Sequence, residues 1–106
     1  MASCRSSGVL TADAVISAER CKLISIHAQL TGTAATTVKV FDNASAASGK
    51  ELARMILQAP TSADASLQTG TACMEFDMHG VISINGLFLQ ITSGGNTGAA
   101  VSVEYN

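Results

Sequence analysis

The stretch Cys21-Lys22-Leu23-Ile24-Ser25-Ile26-His27-Ala28-Gln29-Leu30 is the clearest guide to how this chain folds. In its second half, polar residues separate apolar ones at Ile24, Ile26, Ala28 and Leu30. A period of two places alternate side chains on opposite faces of a β-strand. Isoleucine, which is β-branched, favours the same structure. We therefore predict a strand with one buried face, formed by those four residues, and one polar face.

Similar alternation occurs on both sides of this stretch. Before it, Val9–Ser17 is apolar with a break, which predicts one interrupted strand or two very short ones. After it, further alternating segments occur at Thr36–Asp42, Cys73–Met78, Val81–Ile84, Gly86–Thr92 and Ala99–Tyr105. Turn-forming residues separate these segments, and no strand–helix–strand rhythm is present. We therefore predict an all-β fold, an antiparallel β-sandwich of the jelly-roll type with about eight short strands.

One segment, Lys50–Ala59, fits two structures. As a helix it would carry an apolar stripe, and its residues tolerate that conformation. As a strand it would place Ala53, Met55 and Leu57 on one face. Because it follows a predicted strand through a short link and stops at Pro60, we predict a strand, with a short helix as the alternative.

Three connections contain residues that are typical of turns, and a fourth is a long polar loop. His79-Gly80 predicts a turn, and Asn85-Gly86 predicts either a hairpin or a kink in a longer strand. The glycine-rich segment Ser93–Gly98 predicts a second hairpin loop. Thr61–Ala72 is polar and long for a loop, and loops of this length are often functional or mobile.

The length of 106 residues fits one domain. Residues 1–7 are small and polar, so we predict a flexible N-terminal arm, followed by a single β-sandwich domain over residues 8–106. Alanine, serine, threonine and glycine make up 48 of the 106 residues, and only four residues are aromatic. The core is therefore expected to consist of thin aliphatic strands.

Charge and cysteine content exclude several classes of function. Six basic and eight acidic residues are scattered singly, so no basic stripe is available for nucleic acid. No apolar run approaches the ~20 residues of a membrane-spanning helix, and we expect no membrane association. Cys4, Cys21 and Cys73 have unequal gaps and no Cys-x-x-Cys pair, which argues against a zinc site and favours assembly in a reducing cytosol. We expect these thiols to be buried, except for Cys4 in the arm.

Few residues suggest chemistry. His27 lies on the polar face of its strand, where we expect a solvated or interface histidine rather than a catalytic one. The spacing of Asp77 and His79 is weak evidence for a metal site or for a hydrolytic pair. Glu75 and Asp77 would share the outer face of one strand, where two carboxylates could serve in acid–base chemistry. Ser93–Gly98 lacks the lysine and following helix of a phosphate loop. We therefore predict no catalytic, cofactor or metal site, and no enzymatic activity.

Five segments combine strand alternation with links of small residues: Ser7-Gly8-Val9-Leu10-Thr11-Ala12, Cys21-Lys22-Leu23-Ile24-Ser25-Ile26, Thr37-Val38-Lys39-Val40-Phe41-Asp42, Gly86-Leu87-Phe88-Leu89-Gln90-Ile91 and Val101-Ser102-Val103-Glu104-Tyr105. In pattern and composition the chain resembles small virion proteins of tailed bacteriophages, in particular head decoration or cement proteins. The resemblance covers most of the chain, but it has no sharp motif and transfers no site residue.

The resemblance implies a small β-sandwich that is assembled in the host cytoplasm and binds the outer surface of the capsid. Its partners would be the major capsid protein and copies of itself, as a trimer. The side chains we expect at such contacts are Cys4, Arg5, His27, Phe41, Leu67 and Tyr105. The alternatives are a phage tail or fibre component, a glycan-binding adhesin domain, and a small hydrolase that uses Asp77 and His79.

Overall fold

The computed structural model describes residues 4–31, 35–58, 73–93 and 98–106. Within these ranges the chain forms eight β-strands and no helix: β1 (Arg5–Ser6), β2 (Ala14–Ser17), β3 (Cys21–Leu30), β4 (Thr36–Asp42), β5 (Lys50–Leu57), β6 (Cys73–Ser83), β7 (Leu87–Ser93) and β8 (Ala99–Tyr105). The all-β prediction is confirmed. The strand predicted from Lys50 is also confirmed, as β5.

The strands form two antiparallel four-stranded sheets. The first sheet has the order β1-β8-β3-β6, and the second has the order β2-β7-β4-β5. The pairs β1·β8, β2·β7, β3·β6 and β4·β5 are those of one long hairpin with its tip between β4 and β5. Successive pairs alternate between the sheets, so the hairpin is rolled into a sandwich. This is the predicted jelly-roll arrangement.

The core lies between the two sheets and is almost entirely aliphatic. Its largest fully buried apolar side chains are Leu23, Ile26, Leu30, Val38, Val40, Leu57, Leu87, Leu89, Val101 and Val103. Burial of one such side chain stabilises the fold by roughly 1.5–3 kcal/mol. Small residues such as Ala28, Ala53 and Ala99 fill the remaining inward positions. The expectation of a thin aliphatic core is therefore confirmed.

A β-bulge in β3 changes which residues of the opening stretch are buried. The register between β3 and β8 shifts between Leu23 and Ser25, where β3 has one residue more than the facing part of β8. Leu23 is consequently fully buried and Ile24 only half-buried, whereas Ile26, Ala28 and Leu30 face the core as predicted. The prediction was wrong for Ile24, because strict alternation takes no account of the extra residue in a bulge.

Another bulge lies where a turn is predicted at His79-Gly80. Both residues have positive φ angles, 55° and 82°, yet β6 pairs with β3 on either side of them, at Asp77 and at Val81. The carboxylate of Asp77 accepts a hydrogen bond from the His79 backbone N–H at 3.0 Å, which stabilises this bend. The two short strands predicted here are therefore one strand of eleven residues.

The Asn85-Gly86 turn joins β6 in the first sheet to β7 in the second. It is a corner between sheets, so the hairpin prediction was wrong. Residues 94–97 of the second predicted hairpin loop lie outside the described ranges, but β7 and β8 belong to different sheets and so do not pair as a hairpin. Turn-forming residues predict a tight change of chain direction, but they do not predict which sheet the next strand joins.

The N-terminal residues that the structure describes run alongside β8. Arg5 and Ser6 pair with Tyr105 and Glu104, and Leu10 forms an isolated bridge with Val101. Residues 1–3 and the predicted long loop over residues 61–72 lie outside the described ranges. The division into an arm over residues 1–7 and a domain over residues 8–106 stays a prediction.

Candidate functional site

The outer face of the first sheet collects most of the polar side chains of its strands. His27 lies in the middle of β3, directly opposite Glu75 of β6 on one side and Ser102 of β8 on the other. The neighbouring outward residues of β3 are Ser25, which lies between Asp77 and Glu104, and Gln29, which lies between Cys73 and Ala100. We call these nine residues the polar face.

His27 connects the three strands of the polar face. Its Nδ1 lies 3.0 Å from Oε2 of Glu75, and its Nε2 lies 3.3 Å from Oε1 of Glu104. The Ser25 hydroxyl donates a hydrogen bond to the same Glu104 oxygen. The network thus ties β6, β3 and β8 together across the sheet.

The pKa of Glu104 lies below its ordinary value of 4.5. The main cause is the hydrogen bond from Ser25, followed by the hydrogen bond from His27, and partial desolvation opposes both. The carboxylate therefore stabilises the folded chain fully above pH 4.5, and this contribution is lost as the pH falls through the lower folded-state pKa.

We predict that Glu104→Gln lowers the melting temperature at pH 7 and that the difference from the wild type shrinks below pH 4.5. Thermal unfolding of both proteins between pH 7 and pH 3 measures this. Because the other carboxylates titrate in both proteins, the difference between the two melting temperatures reports on Glu104. A difference that stays constant over the whole range would show that the charge of Glu104 does not stabilise the fold.

A groove of about 390 Å³ crosses the polar face. Its polar lining consists of His27, Gln29, Cys73, Glu75 and Ser102, and its apolar lining consists of Val9, Ala28, Met74, Ala100 and Val101. Ala28 and Val101 are buried, and Met74 is the cross-strand partner of Ala28 on the core side of β6. The aliphatic side chains beside the Glu75 carboxylate are therefore those of Val9 and Ala100.

Ser25, His27 and Glu75 have the connectivity of a serine, histidine and carboxylate triad. Ser25 Oγ lies 3.2 Å from His27 Nε2, and His27 Nδ1 faces Glu75. In a catalytic triad the serine hydroxyl gives its proton to the imidazole. Here the hydroxyl of Ser25 donates to Glu104 instead, and Ser25 is only 6% exposed. This geometry suits a hydrogen-bond network that holds the sheet together.

The Asp77 and His79 pair lies at the exposed bulge of β6. The two side chains are 66% and 85% exposed, and His79 Nδ1 lies 3.5 Å from Asp77 Oδ1. Across the described part of the chain, no three histidine, cysteine, aspartate or glutamate side chains are placed to hold a metal ion. We therefore assign Asp77 the role of accepting the His79 backbone hydrogen bond.

The residues predicted to contact partners fall on different parts of the sandwich. Arg5 and Tyr105 are cross-strand neighbours, and the exposed Cys4 precedes Arg5. His27 lies within the polar face, whereas Phe41 belongs to the second sheet and is 8% exposed. Leu67 lies outside the described residues. Their roles in binding stay predictions.

The three cysteines are free thiols with different surroundings. Cys21 is buried, and burial raises the pKa of its thiol. Cys4 is exposed, in line with its expected position. Cys73, predicted to be buried, is exposed because it lies on the outward side of β6 at the start of the strand.

The contact between Ser25 and Glu104 could not be found from the sequence, because 79 positions separate the two residues. Alternation places both on outward faces, but the register that makes them neighbours has no local signal.

No helix in the described ranges has the length and apolarity of a membrane span. No protein-family model, curated protein or solved structure matches this chain.

Proposed function

We propose that this chain is a non-enzymatic virion structural protein that binds the outside of an assembled bacteriophage head and stabilises it, as a capsid decoration or cement protein. One observation carries the proposal. Among the strand residues that the structure describes, the large apolar side chains that are exposed all lie on edge strands: Val15 on β2, Ile56 on β5, and Met74 and Ile82 on β6. Apolar side chains at sheet edges suit lateral contact with neighbouring proteins.

The exposed apolar side chains on these edge strands would form the contacts with neighbouring proteins. Ile56 and Ile82 are each nearly half exposed, at 46% and 48%, so a neighbour that covered them would remove further apolar surface from water. Each contact is weak by itself. A trimer of this chain that contacted several capsid subunits at once would add such contacts through multivalency.

The non-enzymatic part of the proposal is supported by the polar face. The hydroxyl of Ser25 is committed to Glu104, and the exposed Asp77 and His79 pair lies at a bend of the backbone. Asp77 and Glu104 thus serve to hold the backbone bend and the sheet together.

A glycan-binding role is less well supported. Jelly-roll domains include lectins, but sugar-binding surfaces commonly use exposed aromatic side chains. The four aromatic residues here are Phe41, which is buried, and Phe76, Phe88 and Tyr105, which are half-buried. The stacking surface that a sugar would need is therefore small.

Addition of the purified protein to phage heads that lack it tests the proposal. We expect saturable binding at a fixed number of copies per head, and greater resistance of the heads to heat. Ile82→Asp should weaken binding about tenfold, since about 1.4 kcal/mol of contact energy is lost. Ser45→Asp, at an exposed loop position, is the matched control and should bind normally. Absence of binding by the wild type, together with absence from purified particles, would refute the proposal.

A further inference from the structure

The groove on the polar face has the shape and charge of a site for one long cationic side chain. Its volume of about 390 Å³ is far larger than a single water molecule needs. Val9, which is 72% exposed, contributes apolar surface, and the small side chain of Ala100 leaves space above β8. Such surface suits the methylene stem of a lysine or arginine, which packs on apolar groups while its charged end reaches a polar one.

The charge of the groove favours the same occupant. Glu75 supplies a carboxylate to the lining, and the described lining residues include no lysine or arginine. Oε2 of Glu75 is paired with His27, and the Glu75 side chain is 66% exposed, so its carboxylate is open to a further donor from outside. Glu104, on the far side of His27, adds a second negative charge nearby. An anionic ligand would be repelled, whereas a cation would gain a charge-assisted hydrogen bond.

We infer that this groove receives a lysine or arginine side chain from an extended segment of the capsid subunit. The inference rests on the proposed function, because it adds a contact in the groove to the capsid contacts made by the exposed apolar residues of the edge strands. It also predicts the chemistry of the segment: a single cation flanked by apolar side chains. Glu75 is the residue that selects the cation, and Val9 and Ala100 contact its stem.

Titration of the full-length chain with a short peptide tests the chemistry of the groove without particles. The probe is the capped pentapeptide Ala-Val-Lys-Val-Ala, and the comparison peptide carries glutamine in place of lysine. We expect saturable changes of backbone amide NMR signals at Gln29, Glu75 and Ser102, with binding at least fivefold weaker for the glutamine peptide. Equal binding of the two peptides, or no change at those amides, would overturn the inference.

Two variants separate a specific site from general charge attraction. Glu75 and Asp77 lie on the same face of β6 and are equally exposed, at 66%, but Asp77 does not line the groove. Glu75→Gln should weaken binding of the lysine peptide at least fivefold, while Asp77→Asn should leave it within twofold of the wild type. Equal losses in the two variants would mean that only net charge matters, and the groove assignment would be wrong.

The same pair of variants, applied to phage heads, distinguishes this inference from the proposed function. If the wild type and Asp77→Asn bind heads and Glu75→Gln binds at least fivefold more weakly, both are supported. If all three bind equally, the chain still binds the capsid but the groove is not the contact. If the wild type does not bind heads, the proposed function fails, and the capsid as source of the cation fails with it.

Discussion

Substitution of Gly86 with alanine is expected to destabilise the fold by about 4 kcal/mol, enough to unfold much of the protein at physiological temperature. Gly86 has a φ of 140°, a conformation that residues with a Cβ rarely adopt. A Cβ at this position would overlap the backbone carbonyl oxygen of Ser17 and would lie 3.1 Å from Cα of Ala44. Because both neighbours are backbone atoms, neither can move without distorting the corner between β6 and β7.

Gly49 provides the matched control for this substitution. It also has a positive φ, 89°, but a Cβ there would be in ordinary contact, 3.7 Å from the carbonyl oxygen of Asp42. Gly49→Ala should therefore cost only about 1 kcal/mol, from backbone conformation alone. Urea unfolding of both variants measures the two costs. A Gly86→Ala protein as stable as Gly49→Ala would show that the corner is not closely packed.

Removal of the Asp42 side chain is the second substitution with a large expected effect. Asp42 is 9% exposed, and its carboxylate accepts hydrogen bonds from the Ser83 hydroxyl at 2.9 Å and from the Asn85 backbone N–H at 2.7 Å. A longer bond of 3.3 Å comes from the Ile84 N–H. Asp42→Ala would leave the Asn85 and Ile84 N–H groups without this acceptor, whereas the Ser83 hydroxyl could still donate to the Gly86 carbonyl. We expect a loss of about 3 kcal/mol in the free energy of unfolding.

The pH dependence of stability distinguishes the charge of Asp42 from its shape. The pKa of Asp42 lies below its ordinary value of 3.8, chiefly because the Asn85 N–H donates to the carboxylate. The stabilisation is therefore complete above pH 3.8 and is lost as the pH falls through the lower folded-state value. Asp42→Asn keeps the shape but not the charge, and its deficit relative to the wild type should narrow below pH 3.8. Chemical unfolding from pH 7 to pH 2.5 checks this, and a deficit independent of pH would contradict it.

Both substitutions act at the corner between the sheets, where prediction from the sequence was least accurate. Asn85-Gly86 was recognised as a tight turn, but its glycine is required by the approach of Ser17, which is distant in sequence. The anchor of the corner, Asp42, lies at the end of β4, and in the sequence it is only the last residue of the alternating segment Thr36–Asp42. Long-range contacts of this kind have no signature in local spacing.

The longer strands, β3 to β8, were largely predictable, because one face of each is at least partly buried and the period of two is preserved along most of their length. The exceptions are bulges. The shift in β3 moved Ile24 out of the core, and the shift in β6 converted the expected His79-Gly80 turn into a bend within one strand. A bulge adds residues without changing composition, so alternation on either side of it gives no warning.

The candidate site was predictable only in part, for the same reason. The outward position of His27 and the shared face of Glu75 and Asp77 follow from alternation within single strands. The pairing of Ser25 with Glu104 and the groove between Val9 and Glu75 depend on how three separate strands are aligned. That alignment is a property of the whole sandwich.

Electron cryomicroscopy of intact particles from cells that produce this chain tests most directly whether the chain decorates the phage head. We expect density for an eight-stranded sandwich on the outer surface of the head, repeated with the symmetry of the capsid and in contact with capsid subunits. Particles without such density, or density for this chain confined to the tail, would contradict it.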